Sequence, residues 1–430
     1  MKPSINPFAT GSSDADPSPR LRVLVISPYF PFPPTFGATM RTYQLIRQLA
    51  ERHEVTLLSY GNEADDAGAR ELGETISVHT VHRGEETVLM RRLGQVRAIV
   101  RGQSFASWVL LSKQMQAAID DLCRRTDFDL IHVEFSTMSE FRFPPGIPVV
   151  VDEHNIEYEL YRRLYEGERS LLRRGFNGLE YLRVRRMEER SWRSAQGCVL
   201  TSDRDQLAVC ATAPSTPTAV VSNGVDLEYF APWTQATEPH SVVFNGVLNY
   251  RPNLDGATHL VEEVWPLVLE ACPSARLSIV GRAPERDAAT LRRPTVEVLG
   301  TVPDIRPYLG RAEVVAVPIR MGGGTRFKVV EALSMGKPMV STTLGCEGLS
   351  VSDRQHLLIG DDAETFAHRI LELFKDGDLR RGLGIAGRAL AEEKYSWHLA
   401  GERLESLYRR VAIHGAPSRR PAVDLQPAVV

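Results

Sequence analysis

Short apolar runs alternate with longer segments of helical periodicity along most of the chain, and this pattern predicts an α/β fold. Runs rich in β-branched residues predict buried strands, which in the N-terminal half lie at 21–27, 54–60, 76–82, 128–134, 149–151 and 197–201. The corresponding runs of the C-terminal half lie at 241–245, 276–280, 296–302, 314–318 and 339–343. Strands joined by helices imply parallel sheets with right-handed crossovers. We therefore expect two doubly wound, Rossmann-like α/β domains.

The boundary between the domains is expected near AVVSNGV at 219–225, because Asn-Gly is a strong turn signal. This boundary predicts an N-terminal domain over 21–222 and a C-terminal domain over 223–394. An amphipathic helix is expected over 395–412. The polar ends of the chain have the composition of disordered tails, and they lie at 1–20 and 413–430.

The composition narrows the class of protein. The 430 residues are 43% hydrophobic and 24% charged, as in a soluble protein of two ordinary domains. A net charge of −3 gives no overall preference for nucleic acid, and five scattered cysteines argue against a zinc site or a disulfide framework. No apolar run approaches the roughly 20 residues of a membrane span, and the N-terminus lacks the apolar core of a signal peptide. We expect a cytoplasmic protein.

The segment at 314–349 carries the clearest chemical signal, since it predicts strand, glycine loop, helix and strand. The glycines at 322–324 allow backbone N–H groups to approach an anion, and the helix N-terminus adds positive potential. Arg326 and Lys328 are predicted in the first turn of the helix, where a cation opposes the helix dipole. We expect them to bind a negative ligand such as a diphosphate, and Glu331 to accept hydrogen bonds from ribose hydroxyls. The alternative is a flexible turn with solvated charges.

Other polar residues follow predicted strands in the N-terminal half. The loop rich in proline and aromatic residues after the first strand ends at Gly37, which opens a helix, and Arg41 one turn later is expected to be solvated. His132, Glu134 and His154 lie at or just beyond the ends of two later strands. Because open α/β sheets bind ligands at the carboxyl ends of their strands, these three residues are site candidates. A structural role is an equal alternative for His154.

The segment GGGTRFKVVEALSMGKPMVST resembles the donor-site segment of retaining glycosyltransferases of family 4, which have the GT-B fold. It is most similar to the branch involved in exopolysaccharide synthesis. SNGVDLEYF at 222–230 is similar to the interdomain signature of this family, and the resemblance covers most of 22–412. It implies two Rossmann-like domains facing a cleft, with the last helix crossing back to brace the N-terminal domain.

The expected activity follows from this resemblance. A sugar would pass, with retention of configuration, from a nucleotide-diphosphate sugar in the C-terminal domain to a hydroxyl of a glycan or a polyprenyl-linked saccharide. The acceptor would lie on the N-terminal side, and the setting would be exopolysaccharide or cell-surface polysaccharide synthesis.

The resemblance also implies roles for individual residues. Glu331 matches the glutamate that holds the nucleotide ribose, and Gly37 matches a glycine that faces the donor diphosphate. Arg326 and Lys328 would act in catalysis by stabilising the leaving diphosphate, and His154 would orient the donor or accept the acceptor's proton. The expected diphosphate-binding residues are Gly37, Gly323, Gly324, Thr325, Arg326, Lys328, Arg251 and Arg282. The expected acceptor-site residues are His132, Glu134 and His154.

Two positions depart from the family pattern. Gly323 stands where the family usually has a glutamate that contacts the donor sugar, so the sugar itself is not predicted. Val247 stands where a phosphate-binding arginine is usual, and Arg251 lies near the position of a phosphate-binding lysine without matching its register. Because the two phosphate groups of the donor still need positively charged partners, Arg326 and Lys328 are the main candidates to bind them.

No metal and no cofactor other than the donor is expected. The three Asp-x-Asp triplets, at 14–16, 127–129 and 203–205, all lack the strand-end setting of a metal site. Two other functions stay open, namely a sugar-nucleotide epimerase of the same fold and a non-catalytic two-domain protein that closes on a small ligand. A dinucleotide oxidoreductase is disfavoured because the first strand lacks the three-glycine spacing.

The segment at 157–193 predicts long, arginine-rich helical structure. Ten arginines and five glutamates lie between Arg162 and Arg193, interleaved with apolar residues. One interpretation is a basic surface over 162–193 for peripheral contact with the inner membrane or for a lipid-diphosphate acceptor. The other is a solvated helical hairpin held by Glu–Arg pairs. Nucleic acid is not an expected partner.

Overall fold

The computed structural model describes residues 19–62, 65–82, 104–168 and 170–415. Its first sheet is parallel, with seven strands in the order β3-β2-β1-β4-β5-β6-β7. These strands are β1 (Arg22–Ser27), β2 (Glu54–Gly61), β3 (Ser77–His82), β4 (Leu130–Glu134), β5 (Val149–Glu153), β6 (Gly197–Leu200) and β7 (Thr218–Val220).

The second sheet is also parallel and has the strand order β10-β9-β8-β11-β12-β13. Its strands are β8 (Glu238–Asn245), β9 (Arg276–Val280), β10 (Val296–Gly300), β11 (Ala312–Val317), β12 (Met339–Ser341) and β13 (Leu358–Ile359). In each sheet the strand order reverses beside the first strand, and such a reversal is where open α/β sheets bind their ligands. The predicted class of two doubly wound α/β domains is confirmed.

Helices connect the strands of both sheets. The first domain contains α1 (Gly37–Ala50), α2 (Asp66–Gly73), α3 (Phe105–Leu110), α4 (Lys113–Arg125), α5 (Glu157–Gly167), α6 (Leu171–Ser194) and α7 (Asp203–Thr212). The second contains α8 (Arg251–His259), α9 (Trp265–Ala271), α10 (Glu285–Leu291), α11 (Arg306–Arg311), α12 (Phe327–Ser334), α13 (Ala363–Lys375) and α14 (Gly377–Lys394), and α15 (Trp397–Gly415) follows. Among the described helices, none is both long and apolar enough to cross a membrane.

Alternate residues of β1 belong to different cores, as the two-residue period of a strand requires. Val23 and Val25 belong to a core that contains residues of α1 and α15, whereas Leu24 and Ile26 join a core that contains residues of α4. Both faces of the sheet are therefore covered, which explains the continuous apolar run of the first strand.

The structure differs from the predicted boundaries at two places that matter for the site. Arg326, which the sequence predicts in the first turn of the helix, is the residue before α12, with φ −100° and ψ 111°, and the helix begins at Phe327. Helical periodicity predicts one helix over 253–272, whereas the structure has a π-helical turn within it at Leu260–Val264. The sequence also predicts mainly helical structure over 88–125, and the residues of this segment up to 103 lie outside the described part.

The chain crosses between the two domains twice at adjacent points. The Val225 N–H donates to the Tyr395 carbonyl at 2.6 Å, which joins the two crossings. A Cβ on Gly224 would lie 2.7 Å from the Trp397 backbone nitrogen, so this approach needs glycine. The last helix, α15, then buries Leu404 and Leu407 in the core of the first domain. The expected return of this helix to the N-terminal domain is confirmed.

Candidate active site

The glycine loop after β11 has the backbone conformation that its sequence predicts. Gly322 and Gly324 have φ of 103° and 76°, in the left-handed region that favours glycine. The backbone of Gly323 needs no such angle, and a Cβ there would have no neighbour within 4 Å in the described structure. The position where the family usually carries a glutamate is therefore open space.

Lys328 lies in the first turn of α12, and its ammonium reaches the turn after β8. Its Nζ donates to Asn253 Oδ1 at 3.0 Å and lies 4.4 Å from the centroid of the Phe244 ring. A Cβ on Gly246 would come within 2.7 Å of Nζ, so the amine contacts the backbone turn directly. Burial, with a smaller contribution from the Arg326 charge, lowers the pKa of Lys328 to about 7. Lys328 thus places a titratable positive charge beside Val247, where the arginine is missing.

Glu331 lies one turn further along α12. Asn245 Nδ2, at the end of β8, is 3.5 Å from Glu331 Oε2. Burial raises the pKa of Glu331 to about 7, although the Lys328 charge and the contact with Asn245 act in the opposite direction. The carboxyl group is therefore placed at the carboxyl end of the central strand.

Arg326 folds back on the glycine loop. Its Nη1 donates to the Gly323 carbonyl at 2.5 Å, whereas Nε and Nη2 are buried and have no hydrogen-bond partner among the described residues. Burial also lowers the pKa of Arg326. A buried donor without a partner costs free energy, so these two nitrogens are suited to bind an anion.

The remaining predicted donor-side residues are less closely grouped. Arg251 and Arg282 are exposed, and no described hydrogen bond or ion pair joins either to the loop. Gly37 faces α12 across the cleft, since a Cβ on it would lie 3.4 Å from the Phe327 ring. Gly281 contributes through its lack of a side chain. A Cβ there would lie 2.1 Å from the Gly246 carbonyl oxygen, so only glycine lets the two turns approach this closely.

The structure brings His132, Glu134 and His154 together at the carboxyl ends of β4 and β5. His154 Nε2 is 2.5 Å from Glu134 Oε2, and His132 Nε2 is 3.4 Å from Glu134 Oε1. Burial alone would raise the pKa of Glu134, but the charge of His154 and the hydrogen bonds of the two histidines hold that pKa well below its ordinary value. Glu134 is therefore an ionised carboxylate that orients His154.

Phe135, directly after β4, supports this arrangement with an unusual backbone. Its φ of 67° lies in the left-handed region, which is uncommon for an aromatic residue. Its ring packs against the His154 imidazole with centroids 4.1 Å apart. Backbone strain of this kind often marks a functional site.

The expectation of a solvated Arg41 is wrong. The side chain is 1% exposed, and its Nη2 is 2.9 Å from Asp152 Oδ1 in a buried ion pair. Nη1 donates to the Val221 carbonyl at 2.8 Å and to Asn223 Oδ1 at 3.0 Å. The reason is the direction of α1, which turns Arg41 toward the sheet on the same row as the buried Leu45.

His132, Glu134 and Asp152 also form a group whose ligand atoms lie within 4.8 Å of one another, as a metal site would require. The Asp152 carboxylate, however, accepts hydrogen bonds from the Arg41 guanidinium on both oxygens. His132 Nδ1 is engaged with the Tyr408 hydroxyl at 2.7 Å. A cation bound there would contact Arg41 directly, so these residues fit a hydrogen-bonded network and do not fit a metal.

The two groups face each other across the cleft. Asn223 Nδ2 donates to Thr325 Oγ1 at 2.7 Å, and a Cβ on Gly324 would lie 3.6 Å from the His154 carbonyl oxygen. Arg163 of α5 donates to the Gly322 carbonyl at 2.5 Å. An anion-binding loop thus lies opposite a buried His–Glu pair, which is an arrangement suited to moving a group from an anionic leaving group to an acceptor.

Two Rossmann-like domains facing a cleft, with a return helix, define the GT-B class. A family profile described as Glycosyltransferase Family 4 matches residues 36–229, and one described as Glycosyl transferases group 1 matches residues 239–376. The chain belongs to the family 4 type of glycosyltransferases. This finding confirms the resemblance, and it does not favour the epimerase or the binding protein.

Similar proteins include a GDP-mannose-dependent monoacylated alpha-(1-6)-phosphatidylinositol monomannoside mannosyltransferase of Corynebacterium glutamicum, 29% identical over 208 residues. That match takes in 43% of this chain and only 54% of the relative, about half of its length. Sucrose-phosphate synthase from Thermosynechococcus elongatus has a TM-score of 0.69 at 19% identity, over 92% of this chain and 100% of that one. Anabaena HepE in complex with UDP-glucose has a TM-score of 0.64 at 14% identity, over 91% and 100%. The likeness to these two structures establishes the fold.

Proposed function

We propose that this glycosyltransferase is retaining and metal-independent. It transfers a sugar from a nucleotide-diphosphate sugar to a hydroxyl of a glycan or a lipid-linked saccharide, in the cytoplasm and in the synthesis of exopolysaccharide or cell-surface polysaccharide. The observation that carries the proposal is the cleft itself, where the glycine loop bound by Arg326 lies opposite His154 of the His154–Glu134 pair, and Lys328 follows in the first turn of α12. The UDP-glucose complex of HepE and the GDP-mannose dependence of the mannosyltransferase support a nucleotide-sugar donor.

The donor diphosphate would lie against the glycine loop and the start of α12. The Lys328 ammonium, Nε and Nη2 of Arg326 and the loop amides would bind its oxygens. Because the nucleotide diphosphate gains negative charge as it leaves, these donors stabilise the transition state more than the ground state. Each charged hydrogen bond contributes roughly 1.5–3 kcal/mol. This supply of positive charge from the protein makes a metal unnecessary in the proposed reaction.

Retention is explained by attack on the face from which the diphosphate leaves. The acceptor oxygen forms a bond to the anomeric carbon while the bond from that carbon to the diphosphate oxygen breaks. The acceptor's proton passes to the departing phosphate or to His154. This route requires no dedicated base, so the main role of His154 is to orient the reactants.

Contacts across the cleft favour transfer over hydrolysis. Arg163 binds Glu347 at 2.7 Å as well as the Gly322 carbonyl, and Arg204 binds the same carboxylate at 3.0 Å. These ion pairs hold the two domains together beside the loop. A closed cleft excludes water from the reacting centre.

The function is tested with the purified protein and the donors UDP-glucose, GDP-mannose, ADP-glucose and dTDP-glucose. We expect one nucleotide to raise thermal stability, with or without EDTA, because a ligand of the folded state stabilises it by about 2.7 kcal/mol at a hundredfold excess over Kd. NMR of the product formed with that donor should show the anomeric configuration of the donor. Inversion of configuration, or loss of the stabilisation in EDTA, would contradict the corresponding part of the proposal.

Replacing Glu331 by glutamine is expected to weaken nucleotide binding by about 10- to 100-fold, the effect of one or two hydrogen bonds to a charged group. Binding of inorganic pyrophosphate, which has no ribose, should change by less than about threefold. Isothermal titration calorimetry measures both, with the exposed Glu270→Gln as the matched control. Equal losses for nucleotide and pyrophosphate would remove Glu331 from the ribose site.

We also propose that the hairpin of α5 and α6 contacts an anionic membrane through its tip. Several arginines of the hairpin pair with neighbouring glutamates, as the solvated-hairpin interpretation predicts; these pairs are Arg162–Glu166, Arg183–Glu180, Arg185–Glu189 and Arg193–Glu189. The tip is different, because Leu171 and Leu172 are 83% and 89% exposed and Arg173 and Arg174 follow directly. Exposed leucines beside arginines are complementary to the interface of an anionic bilayer.

Binding to vesicles tests this surface. We expect the protein to co-sediment with phosphatidylglycerol vesicles but not with phosphatidylcholine vesicles, and Leu171→Ser with Leu172→Ser to lower the bound fraction at least fivefold. Burial of each leucine contributes about 1.5–3 kcal/mol. Leu207→Ser is the control, since Leu207 is 73% exposed on another helix of the same domain. If the double variant binds as well as the control, the tip is not the contact.

A further inference from the structure

A row of buried polar groups begins at the glycine loop and enters the first domain. Thr325 Oγ1 accepts a hydrogen bond from Asn223 Nδ2 at 2.7 Å, and Asn223 Oδ1 accepts one from Arg41 Nη1 at 3.0 Å. Arg41 then pairs with Asp152 through two nitrogens. The side-chain amide of Asn223 therefore contacts both domains at once.

The same row continues to the histidine that faces the cleft. Asp152 Oδ2 is 3.8 Å from His132 Nε2, which is 3.4 Å from Glu134 Oε1. The other oxygen of Glu134 is 2.5 Å from His154 Nε2. Hydrogen bonds, with ion-pair distances on either side of His132, thus join Thr325 of the donor-side loop to His154 on the opposite side of the cleft.

The return helix α15 contributes one further group. The hydroxyl of Tyr408 lies 2.7 Å from His132 Nδ1. Burial raises the pKa of Tyr408 well above its ordinary value, so the hydroxyl keeps its proton and can donate it to Nδ1. In the neutral imidazole a hydrogen bond donated by Tyr408 to Nδ1 leaves the ring proton on Nε2, the nitrogen that lies 3.4 Å from Glu134 Oε1.

The burial of these groups is unusual for a purely structural set. Arg41, His132, Glu134 and Asp152 are each about 1% exposed or less. Charged groups in such surroundings are costly unless each has a partner, and apolar residues of the same volume would often stabilise the fold as well or better. A buried polar network also allows few alternative arrangements, so a change at one end is resisted by the others.

We propose that this network couples the donor-side loop to His154, with Arg41, Asp152 and Tyr408 acting as positioning residues. It rests on the proposed function in that His154 faces the reacting groups. The Asn223–Thr325 contact holds the loop at one end, and the fixed His132 tautomer leaves one Glu134 oxygen for His154 at the other. The position of the glycine loop and the orientation of the His154 imidazole are then set together. His154 is therefore correctly oriented on the acceptor side when the donor side of the cleft is closed.

The first experiment needs no turnover. In the full chain labelled with ¹⁵N-histidine, Tyr408→Phe should move the Nδ1 and Nε2 shifts of His132 toward a mixture of tautomers and should also move those of His154. His132→Gln and His154→Gln assign the signals. Tyr395→Phe is the matched control, because the Tyr395 hydroxyl is likewise buried but accepts from the Ser350 N–H at 2.7 Å, outside the network.

The second experiment is a double-mutant cycle between Thr325, at the donor-side end of the network, and Tyr408, which joins the network at His132. Tyr408→Phe and Thr325→Val each remove a hydroxyl group, and the turnover of each variant is compared with that of the pair, using the active donor of the panel. We expect the combined loss in kcat to depart from the product of the single losses by more than about fivefold, since independent sites agree within roughly twofold. Thr325 is half-buried and lies outside the helices and strands, so Thr325→Val is expected to disturb folding less than Tyr408→Phe does.

Either of two results overturns the proposal: unchanged His154 shifts in Tyr408→Phe, or effects on kcat that multiply independently. If no donor supports turnover, the proposed function fails, and the NMR experiment still decides whether the network sets the state of His154. A loss of stability in Tyr408→Phe without any change in the histidine shifts indicates a structural hydroxyl and also counts against the proposal.

Discussion

Replacing Lys328 by alanine is expected to lower kcat by about 100- to 1,000-fold, the effect of removing one preorganised donor to a developing negative charge. The reason is specific to this chain, because Val247 leaves the turn after β8 without the arginine of the family and the Lys328 ammonium contacts that turn at Gly246. Steady-state kinetics with the active donor measure the effect. Lys337→Ala is the control, since this buried lysine donates to the Gly310 carbonyl at 2.8 Å and has a structural role.

The pH dependence of pyrophosphate binding is a second test of the role of Lys328. The pKa of Lys328 is about 7 in the free protein, so the amine is charged below pH 7 and neutral above it. An anion binds the charged form, and affinity should therefore fall as the pH rises through 7, by up to tenfold for each further unit. The Lys328→Arg variant keeps its positive charge throughout this pH range. Dividing the affinity of the wild-type protein by that of the variant therefore cancels the effect of the titration of pyrophosphate itself. A constant ratio between pH 6 and pH 9, or wild-type kcat in Lys328→Ala, would exclude Lys328 from the diphosphate site.

The donor side was accessible to sequence reasoning because its signals are local. A strand, three glycines and a helix with two cations and a glutamate lie within some 20 residues, and each has a direct physical interpretation. The exact start of α12 was not predictable from periodicity, because Arg326 is extended and only its neighbour is helical. The contact between Lys328 and Gly246 depends on the pairing of β8 with β11. No local sequence pattern predicts that pairing.

The acceptor side was only partly accessible. His132, Glu134 and His154 were indicated by their places at strand ends, and the sheet order brings β4 and β5 together. The partners of these residues come from distant parts of the chain, since Tyr408 is 276 residues from His132 and Asp152 is 111 residues from Arg41. Contacts between such distant residues are set by the order of the strands and the return of α15. No local pattern in a single sequence indicates them.

Arg41 is the instructive failure, because a usable signal was present. It lies four and eight residues before Leu45 and Leu49, which places all three on one face of α1. That face is buried, and a charge on it needs a counter-ion. Asp152, directly after a run of valines at the end of β5, was a candidate for that counter-ion. An arginine on the apolar row of a helix is therefore better interpreted as half of a buried pair than as a solvated residue.

Replacing Arg41 by alanine is expected to lower the free energy of unfolding by about 3–5 kcal/mol, because the Asp152 carboxylate is left buried without its partner. Arg47→Ala on the same helix should cost less than about 1 kcal/mol, since Arg47 packs over the Tyr43 ring near the surface. Urea denaturation of the two variants measures the difference. Similar losses in both variants would mean that the buried pair does not stabilise the fold.

A paired replacement separates stability from function at this site. Arg41→Met with Asp152→Leu removes both charges together, and we expect it to recover most of the stability lost in Arg41→Ala, because no buried charge remains unpaired. Turnover should stay low in this variant, since Asn223 and His132 have lost the groups that position them. If the double variant regains both stability and kcat, the ion pair serves only the fold, and the proposal that Arg41 and Asp152 couple the donor-side loop to His154 is wrong.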